Sequence, residues 1–189
     1  MQLRSDIQLT SMLKAMQDVV LPAIDPANRL AVEQSQLIMG MLNLMATQLP
    51  LQHRFDRDEL QRLVATYTRL EQASEAAPAL RQAAEPLGAL RRAAEQMLPQ
   101  CSVDPAELHQ AVRTLREALG SFVAEVGAQA DNTSLPLIKD AILDLSREQL
   151  LRERALMAPQ GWEADAAAVP SIHALLAQAP TDPKPKANP

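Results

Sequence analysis

Leu37 to Leu49 (LIMGMLNLMATQL) is a run of thirteen residues that is apolar over most of a helical circumference. Its polar positions and those just upstream fall on one line. Arg29, Glu33, Gln36, Gly40, Asn43 and Thr47 recur at steps of three and four, and so share one narrow helix stripe. A helix with so thin a polar edge is expected to be buried on nearly all sides. It is too short to cross a bilayer, which needs about 20 apolar residues. The run therefore reads as a central helix, enclosed by other helices of this chain or of a partner.

Composition fixes the class of fold around it. The chain of 189 residues is 47% hydrophobic but only 2% aromatic. Core volume must come from Leu, Met, Ala, Ile and Val, and the first three are good helix formers. Only five glycines and almost no alternating β-branched runs argue against sheets. The expected fold is all-α, an antiparallel bundle of five to six helices with the apolar second helix at its centre. The bundle domain spans 1–158, a linker and short helix packing on it span 159–179, and a disordered tail spans 180–189.

Capping and proline signals divide the chain. Ser5 and Gln8 read as a capping box before a face of Leu9, Met12, Leu13, Met16, Val19 and Val20, ended by Pro22. Asp25-Pro26 starts the central helix, which stops at Pro50. Asp56 and Glu59 form a second box, with Phe55 and Leu60 as a hydrophobic staple and Leu60, Leu63, Val64, Tyr67 and Leu70 facing inward. A break near Pro78 precedes a fourth helix to about Leu98, which Pro86 restarts or kinks. Asp104-Pro105 opens a fifth helix whose Leu108, Val112, Leu115, Leu119, Phe122 and Val126 form a short heptad seam. Gly127 and the residues after it close that helix. A sixth begins near Ser134, with Ile138, Ala141, Ile142 and Leu145 inward. Its charged half, Arg147 to Arg154, is expected to project into solvent or lie at an edge. Pro159-Gln160-Gly161 ends it, a short helix spans Pro170 to Gln178, and Trp162 pins this segment to the body.

The search for chemistry finds little. A net charge of −5 and a pI near 5.2 disfavour nucleic acid and anionic membranes, which select basic surfaces. Helices one and two resemble a helix-turn-helix only superficially, since no basic recognition face follows. None of the three histidines has the Glu-x-x-His spacing of bundle metal sites. No Gly-rich phosphate loop, nucleophile elbow or paired-Cys motif is present, so no catalytic, cofactor or metal residues are assigned. The lone Cys101 cannot form an intramolecular disulfide, and the N-terminus has no apolar h-region; both suit a cytoplasmic protein. The one positive signal is a crowd of methionines, Met12, Met16, Met39, Met41 and Met45. Flexible and polarizable, methionine suits adaptable surfaces that take partners or apolar ligands; the same residues equally suit filling a core poor in aromatics.

The segment DVVLPAIDPANRLAVEQSQLIMGML, followed by FDRDEL, resembles the opening of a small group of bacterial all-helical proteins without an assigned activity. The likeness covers mainly the first third of the chain and carries no catalytic motif. It implies a bacterial cytoplasmic origin and no role for any residue. The expected role is a non-catalytic interaction or accessory protein, self-associating as a homodimer, with a further protein partner from a neighbouring gene. The alternative is a carrier or sensor that holds a small apolar, acyl-type ligand inside the bundle. An enzyme ranks third, because no convergent acid, base and nucleophile are found.

Overall fold

The structure, a computed structural model, describes residues 4–75, 78–129 and 135–178. Among the described residues 85% are helical and no strand occurs. Six long helices carry the chain: α1 (Ser5–Ala15), α2 (Arg29–Gln48), α3 (Gln52–Ser74), α4 (Pro78–Met97), α5 (Pro105–Gln129) and α6 (Leu135–Met157). A short helix, α7, covers Ile172–Leu175. The all-α reading of the sequence holds. Contacts group the described residues into two compact units, one of residues 4–52 with 154–169 and the other of described residues between 53 and 153 with 170–178.

Within the first unit, α1 packs on α2. Leu9 is buried on α1, with Leu13 and Met16 half-buried at the next steps of the same face. Ser5 lies inside the helix rather than capping it; Arg4 is the N-cap and no side chain bonds the first turn. Pro22 does not end this segment at once. The chain passes through a π-helical turn, Met16–Val20, and a last α-turn, Leu21–Ala23, before Ile24 becomes extended. Such π insertions widen a helix locally. Asp25 accepts a hydrogen bond from the Ala27 N–H at 2.9 Å and forms a turn, while Asn28 caps α2 by accepting from Ala31 N–H at 3.2 Å. The start therefore falls three residues later than the Asp25-Pro26 signal suggests. Helix α2 ends at Gln48, and Pro50 sits in a single 3-10 turn, Leu49–Leu51.

The second unit holds the hydrophobic core. It is built from Leu60, Leu63, Tyr67 and Leu70 of α3, Leu80 and Leu87 of α4, Leu108, Val112, Leu115 and Phe122 of α5, and Ile138 of α6. Helix α4 runs through Pro86 without interruption, so this proline neither restarts nor ends it. Asp104 caps α5 by accepting from Ala106 N–H at 2.7 Å, and the heptad seam is buried apart from half-buried Leu119. Helix α5 continues through Gly127 to Gln129. Ser134 and the expected tail over 180–189 lie outside the described residues.

Two expectations are corrected here. The main hydrophobic core contains no residue of α2, and five large apolar side chains of α2 are exposed, so the apolar second helix is not enclosed on nearly all sides. The Asp56–Glu59 box does not exist either, because α3 begins at Gln52 and carries both acids in its interior. Asp56, Asp58, Glu59 and Arg62 are all buried there. A helix with eight charged residues, α3, thus supplies the core of its unit, while α2, with only Arg29 and Glu33, supplies none of that core.

Candidate functional site

Helix α2 buries only Ser35, Leu42 and Leu44. At 100° per residue, Leu30, Leu37, Met41 and Met45 fall within one stripe about 80° wide, with Ile38 along its edge. All five are exposed, Leu37 at 54%, Met41 at 53% and Met45 at 52%. From Gln34 to Gln52 the chain holds no charged residue. An exposed helix face without charge is unusual, since isolated surface apolar residues are common but contiguous patches mark contact sites.

The five methionines singled out by sequence do not form one surface. Met41 and Met45 share the exposed stripe of α2, whereas Met39 lies half-buried on the opposite side with Leu42 and Ser35. Met12 is exposed on α1, and Met16, the first residue of the π-helical turn, is half-buried. Leu30, Leu37 and Ile38, which complete the patch, were missed because an apolar residue on an apolar helix reads as core. Gly40 admits a side-chain contact rather than a helix. Its carbonyl accepts from Gln160 Nε2 at 3.0 Å, and an added Cβ would meet Gln160 Oε1 at 3.5 Å, an ordinary distance. Trp162 does not pin the segment that follows; it is 69% exposed.

The second unit holds a buried ion cluster. Asp58 Oδ2 accepts from Arg62 Nε at 2.8 Å and stands 2.7 Å from Arg152 Nε, the latter a close charge contact without an aligned hydrogen bond. Arg62 Nη2 donates to Gln149 Oε1 at 2.8 Å, and Glu59 pairs with Arg116 of α5. Burial pushes the Arg62 guanidinium pKa down, an effect that the neighbouring Asp58 charge opposes. Arg152 is therefore buried and engaged in α6, where its charged half was expected to project into solvent or lie at an edge. Removing one partner of such a cluster leaves the others uncompensated, so it ties α3 to α5 and α6.

Beside this cluster a groove of about 500 Å³ runs between α3, α5 and α6. Leu63, Leu119, Val123, Ile142, Leu145 and Leu150 line it, and Glu59, Arg116, Gln149 and Glu153 gather at one end. Two carboxylates to one guanidinium make that end unsuited to a free carboxylate head.

The remaining titratable groups do not converge. His53 is exposed on α3, His173 is exposed on α7, and His109 Nδ1 is 3.5 Å from Asp56 Oδ2. Cys101 is a free, exposed thiol. Among the described residues no group of His, Cys, Asp or Glu could hold a metal, and no helix is long and apolar enough to cross a membrane. No protein-family model, curated protein or solved structure matches the chain.

Proposed function

We propose that this protein is a non-catalytic accessory protein that works by association, first with a second copy of itself, in a reducing compartment such as the bacterial cytoplasm. The observation that carries this reading is the uncharged, exposed face of α2. Interface cores are depleted of charged residues and enriched in methionine, and α2 has that composition on a surface facing water. Membrane docking is the poorer use of the same face, because interfacial helices pair their apolar side with a basic one. Around this stripe Arg29 and Glu33 are the flanking charges, one of each sign. The exposed Cys101 thiol suits a reducing environment.

Light scattering at micromolar concentration tests the reading, with native mass spectrometry on the same sample. The expected result is a dimer, with Met41→Glu shifting the chain to monomer while its circular dichroism is retained. A monomer without a bound molecule overturns the proposal. A second reading, a carrier of a small apolar ligand, is favoured by the groove between α3, α5 and α6. It predicts a monomer that keeps an amphiphile with a neutral or cationic head through purification.

A further inference from the structure

The groove between α3, α5 and α6 is graded from charge to hydrocarbon along its length. Arg116 and Val123 line it from α5, seven residues apart, and Glu153 and Ile142 line it from α6, eleven apart. At about 1.5 Å per residue these spacings are about 10 and 16 Å. Its volume of about 500 Å³ falls in the range of small-molecule pockets, about 300–1,000 Å³. Gly120, in the wall that α5 supplies, faces open space: an added Cβ would meet no atom within 4 Å. Glycine weakens a helix interior, and here it leaves the groove deeper by a side chain.

The charged end decides which head can lie there. Gln149 is committed on both sides, its Oε1 accepting from Arg62 and its Nε2 donating to Glu153 Oε1, each at 2.8 Å. Ser146 Oγ donates to the Ile142 carbonyl at 2.8 Å. Arg116 Nε pairs with Glu59 Oε1, and its Nη2 stands 4.0 Å from Glu153 Oε1. These contacts use one oxygen of each carboxylate and leave the second oxygens of Glu59 and Glu153 as acceptors. Behind this end Arg62 and Arg152 are balanced by Asp58 and Glu148, so the two carboxylates against Arg116 leave one net negative charge.

We infer that the groove binds a single-chain alkylammonium amphiphile, with its chain along Leu63, Leu119 and Val123 and its head on the carboxylates of Glu59 and Glu153. The inference rests on the ligand-carrying reading above and names the ligand class. A primary ammonium has three donors and no acceptor, as a lysine side chain does, and is charged at neutral pH. It therefore complements both the spare acceptors and the sign of the charge.

Isothermal titration calorimetry with decylamine, decanol and decanoate, each below the concentration at which it aggregates, separates chain from head. The expected order of affinity is amine, alcohol, carboxylate. Gly120→Leu fills the groove from a position with room for a side chain and favours the helix. Circular dichroism should be retained in that variant, while decylamine binding falls by about tenfold or more through the steric clash. Glu153→Gln, at a half-exposed position, should weaken decylamine by about fivefold and leave decanol unchanged. No binding by any of the three compounds overturns both the inference and the carrier reading. Decanol or decanoate that binds as tightly as decylamine, and is lost in Gly120→Leu, overturns the cationic head and leaves a carrier standing. Decylamine binding that either variant fails to weaken overturns the inference.

Discussion

Tyr67, the only tyrosine, shows how a single buried side chain sets a property of the whole second unit. Its ring is fully buried in the core, and its hydroxyl donates to the Leu115 carbonyl of α5. Burial pushes the phenol pKa far above its ordinary value, with a backbone hydrogen bond from Leu119 opposing. The folded state holds the neutral phenol, while the unfolded chain ionises near pH 10. Stability is therefore complete below that pH and falls as pH rises above it, because only the unfolded state readily gives up the proton. Phenolate absorbance should appear together with loss of helical circular dichroism, not before it. Tyr67→Phe should weaken this alkaline sensitivity, and a phenol that titrates near pH 10 in folded protein would show that the ring is accessible. The sequence placed Tyr67 on the inward face of its helix by spacing alone; the acceptor on α5 lies 48 residues away and could not be read from it.

At the scale of helices, α2 and α3 exchange the places that their compositions suggest. Hydropathy counts how much of a helix would favour burial, whereas the fold decides which helix gets neighbours on all sides. Helix α3 brings Asp58, Glu59 and Arg62 into the interior because Arg116 and Arg152 arrive from α5 and α6 to pair with them. A buried charge with such partners reads in sequence as an ordinary solvated position. The capping box at Asp56 and Glu59 misled for the same reason: a cap and an interior ion pair use the same residues. Truncations separate the two helices. Leu60→Ala, in the core of α3, should cost about 2–5 kcal/mol in urea unfolding of the second unit. Leu42→Ala, on the sparsely packed inner face of α2, should cost less than that. Equal losses at both positions would show that α2 is as enclosed as α3.

The two units differ most in how much apolar surface each encloses. The second has a continuous core drawn from four helices, while the first buries Leu9, Leu42, Leu44, Leu51 and Ala155. A helix pair with so few buried side chains opens more readily, since local stability follows buried apolar contact. Hydrogen exchange should accordingly be faster in α1 and α2 than in α3 to α5. If α2 pairs with a second copy, protection of α2 alone should rise with protein concentration, as association stabilises by mass action. Protection of α2 equal to that of α3 at nanomolar concentration would contradict this account.

The sequence by itself determined that the chain is helical and marked the helix limits near Pro50, Pro78 and Asp104. Proline, Asp104 at its cap and the apolar period act within a few residues, and such local effects do not depend on the rest of the fold. The seam of α5 and the inward faces of α3 and α6 were legible for that reason. Tertiary structure alone decided which helix is central, which charges are buried and which apolar face remains exposed. Those outcomes depend on partners dozens of residues distant, such as Arg152 for Asp58, and on how many helices surround each face. The same methionines that the sequence marked as a surface or a core are both, Met41 and Met45 outward and Met39 inward. Two residues, about half a helical turn, separate Met39 from Met41, and the packing of α2 within its unit decides which side is covered.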